Sequence, residues 1–147
     1  MIKHGIGVDT LNQVSFVPGN VTANNIVAIS NLPDTIDHTF HVVRDEYANM
    51  IDITNIIKAQ TGRRFQLFPL RDFVPEVIRR CTKEDILFPL LDFLIGSVDN
   101  ISGMEFKRYD SLCYQQARNS SPWGVADPSL EGTVGGILSF MQKTGLL

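Results

Sequence analysis

Carbonyl reduction by a nicotinamide enzyme needs a tyrosine to protonate the nascent oxyanion and a lysine four residues on to lower its pKa. Tyr114 and Arg118 have that spacing in this chain of 147 residues. Arginine does not take the lysine's part geometrically, and the pair falls in a loop-rich stretch, so it reads as structural. Such an enzyme also needs a glycine-rich turn that brings backbone amides to a pyrophosphate, and no GxGxxG or GxxGxxG occurs. His38 and His41 would face opposite sides of a strand, which separates them as metal ligands and sets one imidazole inward and one outward. Ser139 lies in an apolar helix face without the GxSxG elbow that activates a serine. The carboxylate pairs Asp45-Glu46 and Glu84-Asp85 could serve as acid and base, but placement at helix ends explains both more simply.

The elements that would position these groups follow from pattern. Residues 1–13 read as a loop. Gln13 to Val17 alternates as a strand and stops at Pro18, which cannot donate to a ladder. Asn20 caps a helix running to Ser30, with Val21, Ala23, Ile26, Val27 and Ile29 apolar. His38 to Val43 is a second strand, and the strand, helix, strand order predicts a parallel βαβ unit. Asn49, with Asp52 at the third helical position, caps the next helix, which Gly62 ends in left-handed geometry. A short strand over 64–68 leads to a helix over 70–81. Thr82 and Asp85 form a capping pair for a helix over 83–95, bent near Asp85 to Phe88 by Pro89. The run Ile86 to Ile95 is apolar around most of its circumference and reads as a central core helix, or as one that is core on one face and lines an acyl or peptidyl pocket or a protein interface on the other. The glycines, serines and Pro122 of residues 96–127 predict long loops with one helical turn near 110–117. Asp127-Pro128 opens a last helix to Lys143, closed by Gly145.

Composition fits one compact unit: 44% hydrophobic and 20% charged residues, with a net charge of -3. That charge leaves no basic footprint for nucleic acid. The longest apolar run is about half the ~20 residues that cross a bilayer. Cys81 and Cys113 have neither metal-site nor disulfide spacing, and with no signal peptide in view a reducing cytoplasm is expected.

The blocks Phe16 to Ala23, Phe40 to Val43, Leu70 to Phe73 and Leu87 to Phe93, followed by Gly145-Leu146-Leu147, in this order resemble the C-terminal part of the thioester reductase domains of nonribosomal peptide and polyketide synthetases, to which carboxylic acid and aminoadipate reductases are related. Phe16-Val17-Pro18-Gly19-Asn20-Val21-Thr22-Ala23 keeps the proline and spacing of that family's strand-to-helix block, with Gly19 and Asn20 replacing a valine and an aspartate. Phe40-His41-Val42-Val43 resembles its "H-x-x" strand end, Leu70-Arg71-Asp72-Phe73 stands in place of "Y-x-x-W", and Leu87-Phe88-Pro89-Leu90-Leu91-Asp92-Phe93 matches "L-x-P-L-x-x-F". Gly145-Leu146-Leu147 resembles its "G-F-L" end.

The resemblance implies an α/β fold: the C-terminal portion of a Rossmann-like extended short-chain reductase, with a mostly helical substrate-binding subdomain. Residues 1–48 would be its terminal strands and helix, and 49–147 the subdomain, so that the chain is a fragment or a truncated reading frame. It further implies NADPH in the intact enzyme, held together with the catalytic residues in an upstream Rossmann half. The expected partner is a phosphopantetheinylated carrier protein bearing an acyl or peptidyl chain, released as aldehyde or alcohol. No catalytic, cofactor-binding or metal residue carries over. Phe16, Pro18, Phe88, Leu91 and Tyr109 are the expected substrate-channel residues, chosen for strand-end position or excess apolar surface. A non-catalytic module that docks a carrier protein or synthetase domain is the alternative.

Overall fold

The computed structural model describes residues 2–10, 12–103 and 109–147, and side chains outside 98–103. Contacts group the chain into two compact units built from interleaved segments. Unit 1 takes Met1–Gln13, Asn49–Phe106 and Val134–Leu147; unit 2 takes Val14–Ala48 and Lys107–Thr133.

Unit 1 is organised by a parallel pair. Strand β1, Ile6–Asp9, pairs with β4, Gln66–Pro69, in the register Ile6↔Gln66 through Asp9↔Pro69. A parallel pair needs a crossover, and helix α2, Met50–Thr61, lies within it. Sequence assigns residues 6–9 to a loop, because two apolar residues around Gly7 are too few to display a period of two. Their burial, with Ile6 at 0% exposure, is what makes them a strand. The parallel pairing expected across residues 13–43 is therefore found between β1 and β4 instead.

The ends of α2 are as the sequence predicts. The Asn49 side chain accepts from the Asp52 amide at 2.8 Å, and Gly62 has φ 67° with its amide donating to the Lys58 carbonyl. Helix α3, Leu70–Arg80, buries Phe73, Val74 and Val77 against Ile6 and Val8. The helix expected over 83–95 does not start at its Thr82–Asp85 cap. The cap bonds form, Thr82 N to Asp85 Oδ2 at 2.7 Å, but Pro89 has no amide to continue an α-helical ladder. The chain uses i→i+3 bonds instead, Asp85 N to Thr82 O and Phe88 N to Asp85 O, then a 3₁₀ turn at Phe88–Leu90. Helix α4, Leu91–Gly103, follows, so Gly96 and Gly103 belong to a helix where loops are expected. Only Leu91 and Leu94 of this stretch pack on the core, while Ile86, Leu90, Phe93 and Ile95 are exposed. The run is not a central core helix.

In unit 2, helix α1, Gly19–Ser30, packs against α5, Leu112–Ser120. Pro18, not Asn20, occupies the cap position of α1, with no side-chain cap bond. The buried face of α1 is Val21, Asn25, Ala28 and Ile29, while Ile26 and Val27 are exposed. Asn25, at 0% exposure, is held on three sides: its amide donates to Tyr114 Oη at 2.7 Å and to the Val125 carbonyl at 2.9 Å, and its carbonyl accepts from Val125 N at 2.8 Å. Residues 38–43 form no ladder among the described residues. The Val43 amide bonds to the His41 carbonyl, a local turn in place of a neighbouring strand. His38 and His41 are both exposed, so neither imidazole is the inward one expected.

Short strands β2, Gln13–Val14, and β3, Ala48–Asn49, form a second two-stranded sheet. Helix α6, Leu130–Lys143, is capped by Ser129, whose Oγ accepts from the Gly132 amide at 3.0 Å, rather than by Asp127. It ends in a Schellman motif: Gly145 has φ 71°, and Leu146 N donates to Met141 O at 2.8 Å.

Asn25→Ala leaves both polar groups of Val125 without their partner and lowers unfolding free energy by about 3 kcal/mol, while Tyr114→Phe costs about 1 kcal/mol. Urea denaturation of the two variants measures the difference, and equal losses would refute the dominance of the Val125 bonds.

Candidate functional site

Unit 1 holds an open cleft of about 690 Å³. Its floor is built from separate elements: Ile6 of β1, Ile57 of α2, Val77 of α3 and Met141 of α6, with Phe65 and Leu87 beside them. Lys3, His4, Arg63, Glu84 and Asp85 add polar groups to the lining.

Asp85 organises that polar side. Its Oδ1 accepts from Lys3 Nζ at 2.8 Å, and Oδ2 accepts from the Thr82 amide and hydroxyl. The Lys3 hydrogen bond, then the Thr82 amide, hold its carboxyl well below the ordinary value of 3.8. His4 Nε2 lies 3.3 Å from Asp85 Oδ2, outside hydrogen-bond geometry, and is buried without a hydrogen-bond partner. Behind the cleft, Glu76 accepts from Arg79 Nε at 2.8 Å and from Arg80, which also reaches the His4 carbonyl at 2.9 Å. The Arg79 bond, ahead of that from Arg80, draws the Glu76 carboxyl down from 4.5 to about 2.

Unit 2 holds a different kind of cluster. The Asp45 carboxylate takes both terminal nitrogens of Arg118, at 3.0 and 3.3 Å, and the Arg118 guanidinium carbon lies 5.6 Å from the centre of the Tyr114 ring. Asp45 is thus an ion-pair partner in a loop and not a helix-end charge. Tyr114 is 0% exposed, which seals it from any substrate carbonyl and makes the Tyr114–Arg118 pair structural. Arg44 is buried beside them, donating through Nη2 to the Pro128 carbonyl, while its Nη1 and Asp127 Oδ1 find no partner.

The five residues expected to line a substrate channel divide between the units. Phe88 and Leu91 belong to unit 1, and Phe16, Pro18 and Tyr109 to unit 2. None lines the cleft. Leu91 packs on the unit 1 core, Phe88 is 39% exposed, and the exposed ring of Tyr109 lies 5.3 Å from that of His41. Sequence reading missed the cleft because its walls come from four distant segments, each ordinary alone. Among the described residues no group of three His, Cys, Asp or Glu side chains could hold a metal, Cys81 and Cys113 are free thiols, and no helix is long and apolar enough to cross a membrane.

Neither a comparison with known protein families nor one with curated proteins finds a match. Among solved structures, the terminal R domain from the myxalamid PKS-NRPS biosynthetic pathway superposes on 99% of the chain with a TM-score of 0.83 at 20% identity. The chain thus has the fold of part of such a domain, in agreement with the resemblance carried by its sequence blocks. It spans 37% of that structure's chain.

Both depressed carboxylates stabilise the folded chain above their ordinary pKa values, and that stability is lost as pH falls toward the folded ones. Thermal stability therefore drops between pH 4.5 and about 2. Glu76→Gln flattens that drop, which scanning calorimetry over the same pH range records. A profile as steep as that of the parent would refute the assignment.

Proposed function

We propose that this chain is the substrate-binding C-terminal portion of an NADPH-dependent thioester reductase, acting on acyl or peptidyl chains carried on the phosphopantetheine arm of a carrier protein. The observation that carries this reading is the extent of the likeness to a terminal R domain, 99% of the chain at a TM-score of 0.83. The ordered sequence blocks around Pro18, His41 and Pro89 support it independently. On this reading the Rossmann-like sheet is shared with an upstream half: residues 1–48 supply terminal strands and a helix, and 49–147 the helical subdomain together with β4, which pairs with β1.

The cofactor would be held outside this chain, and two of the strand-to-helix junctions here support that. A pyrophosphate needs free backbone amides at a helix N-terminus. β4 runs into α3 through Pro69, which has no amide, and no glycine intervenes. At the β3 to α2 junction the Asp52 amide is already taken by the Asn49 side chain. Nucleotide binding and hydride transfer then fall to an upstream half. This chain contributes surface for the acyl or peptidyl chain and its carrier, and is inactive alone. Phe88 and Leu91 on one unit, and Phe16, Pro18 and Tyr109 on the other, are the residues proposed to contact the chain being reduced.

Calorimetric titration of the 147-residue chain tests the reading. A phosphopantetheinylated carrier protein bearing an acyl group gives saturable heat, and NADPH gives none. Saturable NADPH binding would overturn the division of labour, and absence of carrier binding would overturn the substrate-side assignment. In the intact enzyme, Phe88→Ala raises the KM for a long acyl thioester about fivefold at little change in kcat, in line with about 1 kcal/mol of lost apolar contact. Unchanged kinetics would remove Phe88 from the channel.

A further inference from the structure

None of the residues proposed above for the substrate channel is among those that line the cleft of unit 1. We propose that it is a binding site of its own, for an uncharged single-chain aliphatic ligand ending in a hydroxyl or amide.

Its volume, about 690 Å³, falls in the range of small-molecule sites. The shape of the ligand follows from the walls. Ile6, Ile57, Val77, Leu87 and Met141 are aliphatic, with Phe65 the one large aromatic ring among the lining residues, so the surface fits a flexible alkyl chain better than a stacked planar ring system. Ile86, 63% exposed, also lines the cleft and marks its solvent side.

The ligand's head is set by charge. Lys3 and Arg63 are balanced by Glu84 and Asp85 in the lining, and Lys3 is already bonded to Asp85 at 2.8 Å. A carboxylate or phosphate head would have to compete with Asp85, which the Thr82 amide and hydroxyl also hold in place. A neutral head leaves that arrangement intact. His4 Nε2, 3.3 Å from Asp85 Oδ2, is the buried polar atom of the lining that has no hydrogen-bond partner. A buried polar nitrogen in that state is costly. A hydroxyl satisfies it in either tautomer, since it both donates and accepts, and an amide does the same through its N–H or its carbonyl.

Cys81 lines the same cleft and serves as the reporter, once the exposed Cys113 on unit 2 is removed. The experiment measures maleimide labelling of Cys81 in the full-length Cys113→Ser chain with octanamide, 1-octanol or octanoate present at pH 7. Octanamide and octanol at saturation slow labelling at least tenfold, and octanoate at the same concentration slows it less than twofold. Ile86→Glu, a change at an exposed position, weakens protection by octanamide at least fivefold while the thermal transition stays cooperative. Labelling that no ligand slows would overturn the site. Equal protection by octanoate would overturn the neutral head, and protection indifferent to Ile86→Glu would overturn the location. Carrier-protein binding, measured on the same protein, is read separately, so the site can fail while the reductase reading stands, and the reverse.

Discussion

The parallel pairing of β1 with β4 is the constraint on which unit 1 depends. Two strands of four residues bury little by themselves, and a parallel pair is stable only when other elements cover it. Residues 60 positions apart in sequence must therefore meet before either strand exists as a strand. α2 lies within the crossover, and α3 follows β4 without a loop, which fixes Phe73, Val74 and Val77 over Ile6 and Val8. The cleft is a by-product of the same arrangement. Its floor is the edge of that core, extended by Ile57 and Met141 from two other helices.

Unit 2 solves a different problem. Its connecting segment around Val125 lies in neither strand nor helix, so its backbone groups take their partners from a side chain. Asn25 supplies both, using a side chain with one acceptor and two donors where an aliphatic residue would supply none. Tyr114 takes the remaining donor. The tyrosine that has catalytic spacing in the sequence is thus consumed as a hydrogen-bond acceptor in the interior.

Local punctuation was the most legible part of the sequence. Asn49 and Gly62 bracket α2 as their chemistry requires, α3 begins within a residue of its reading, and Gly145 closes α6. What was not legible depends on partners far away. Ile6–Asp9 is a strand only because β4 pairs with it, and residues 38–43 are not one because nothing among the described residues does. Asn25 points inward against its polarity because of a backbone segment a hundred residues later. The run from Ile86 to Ile95 carries a local conflict, a capping pair followed by a proline, and the proline wins. For the site, the five channel residues came from position and apolarity, and the structure divides them between two units. The cleft required the assembled chain.

The bond between Asn25 and Val125 spans 100 residues. A ribosome adding roughly 5–20 residues per second needs about 5–20 s to cover that distance. During that interval α1 has been made but Asn25 has no partner, and Val21, Ala28 and Ile29 have no α5 to cover them. Unit 2 therefore matures late in synthesis however early its first helix appears, and for several seconds α1 is a surface that a holding chaperone can occupy.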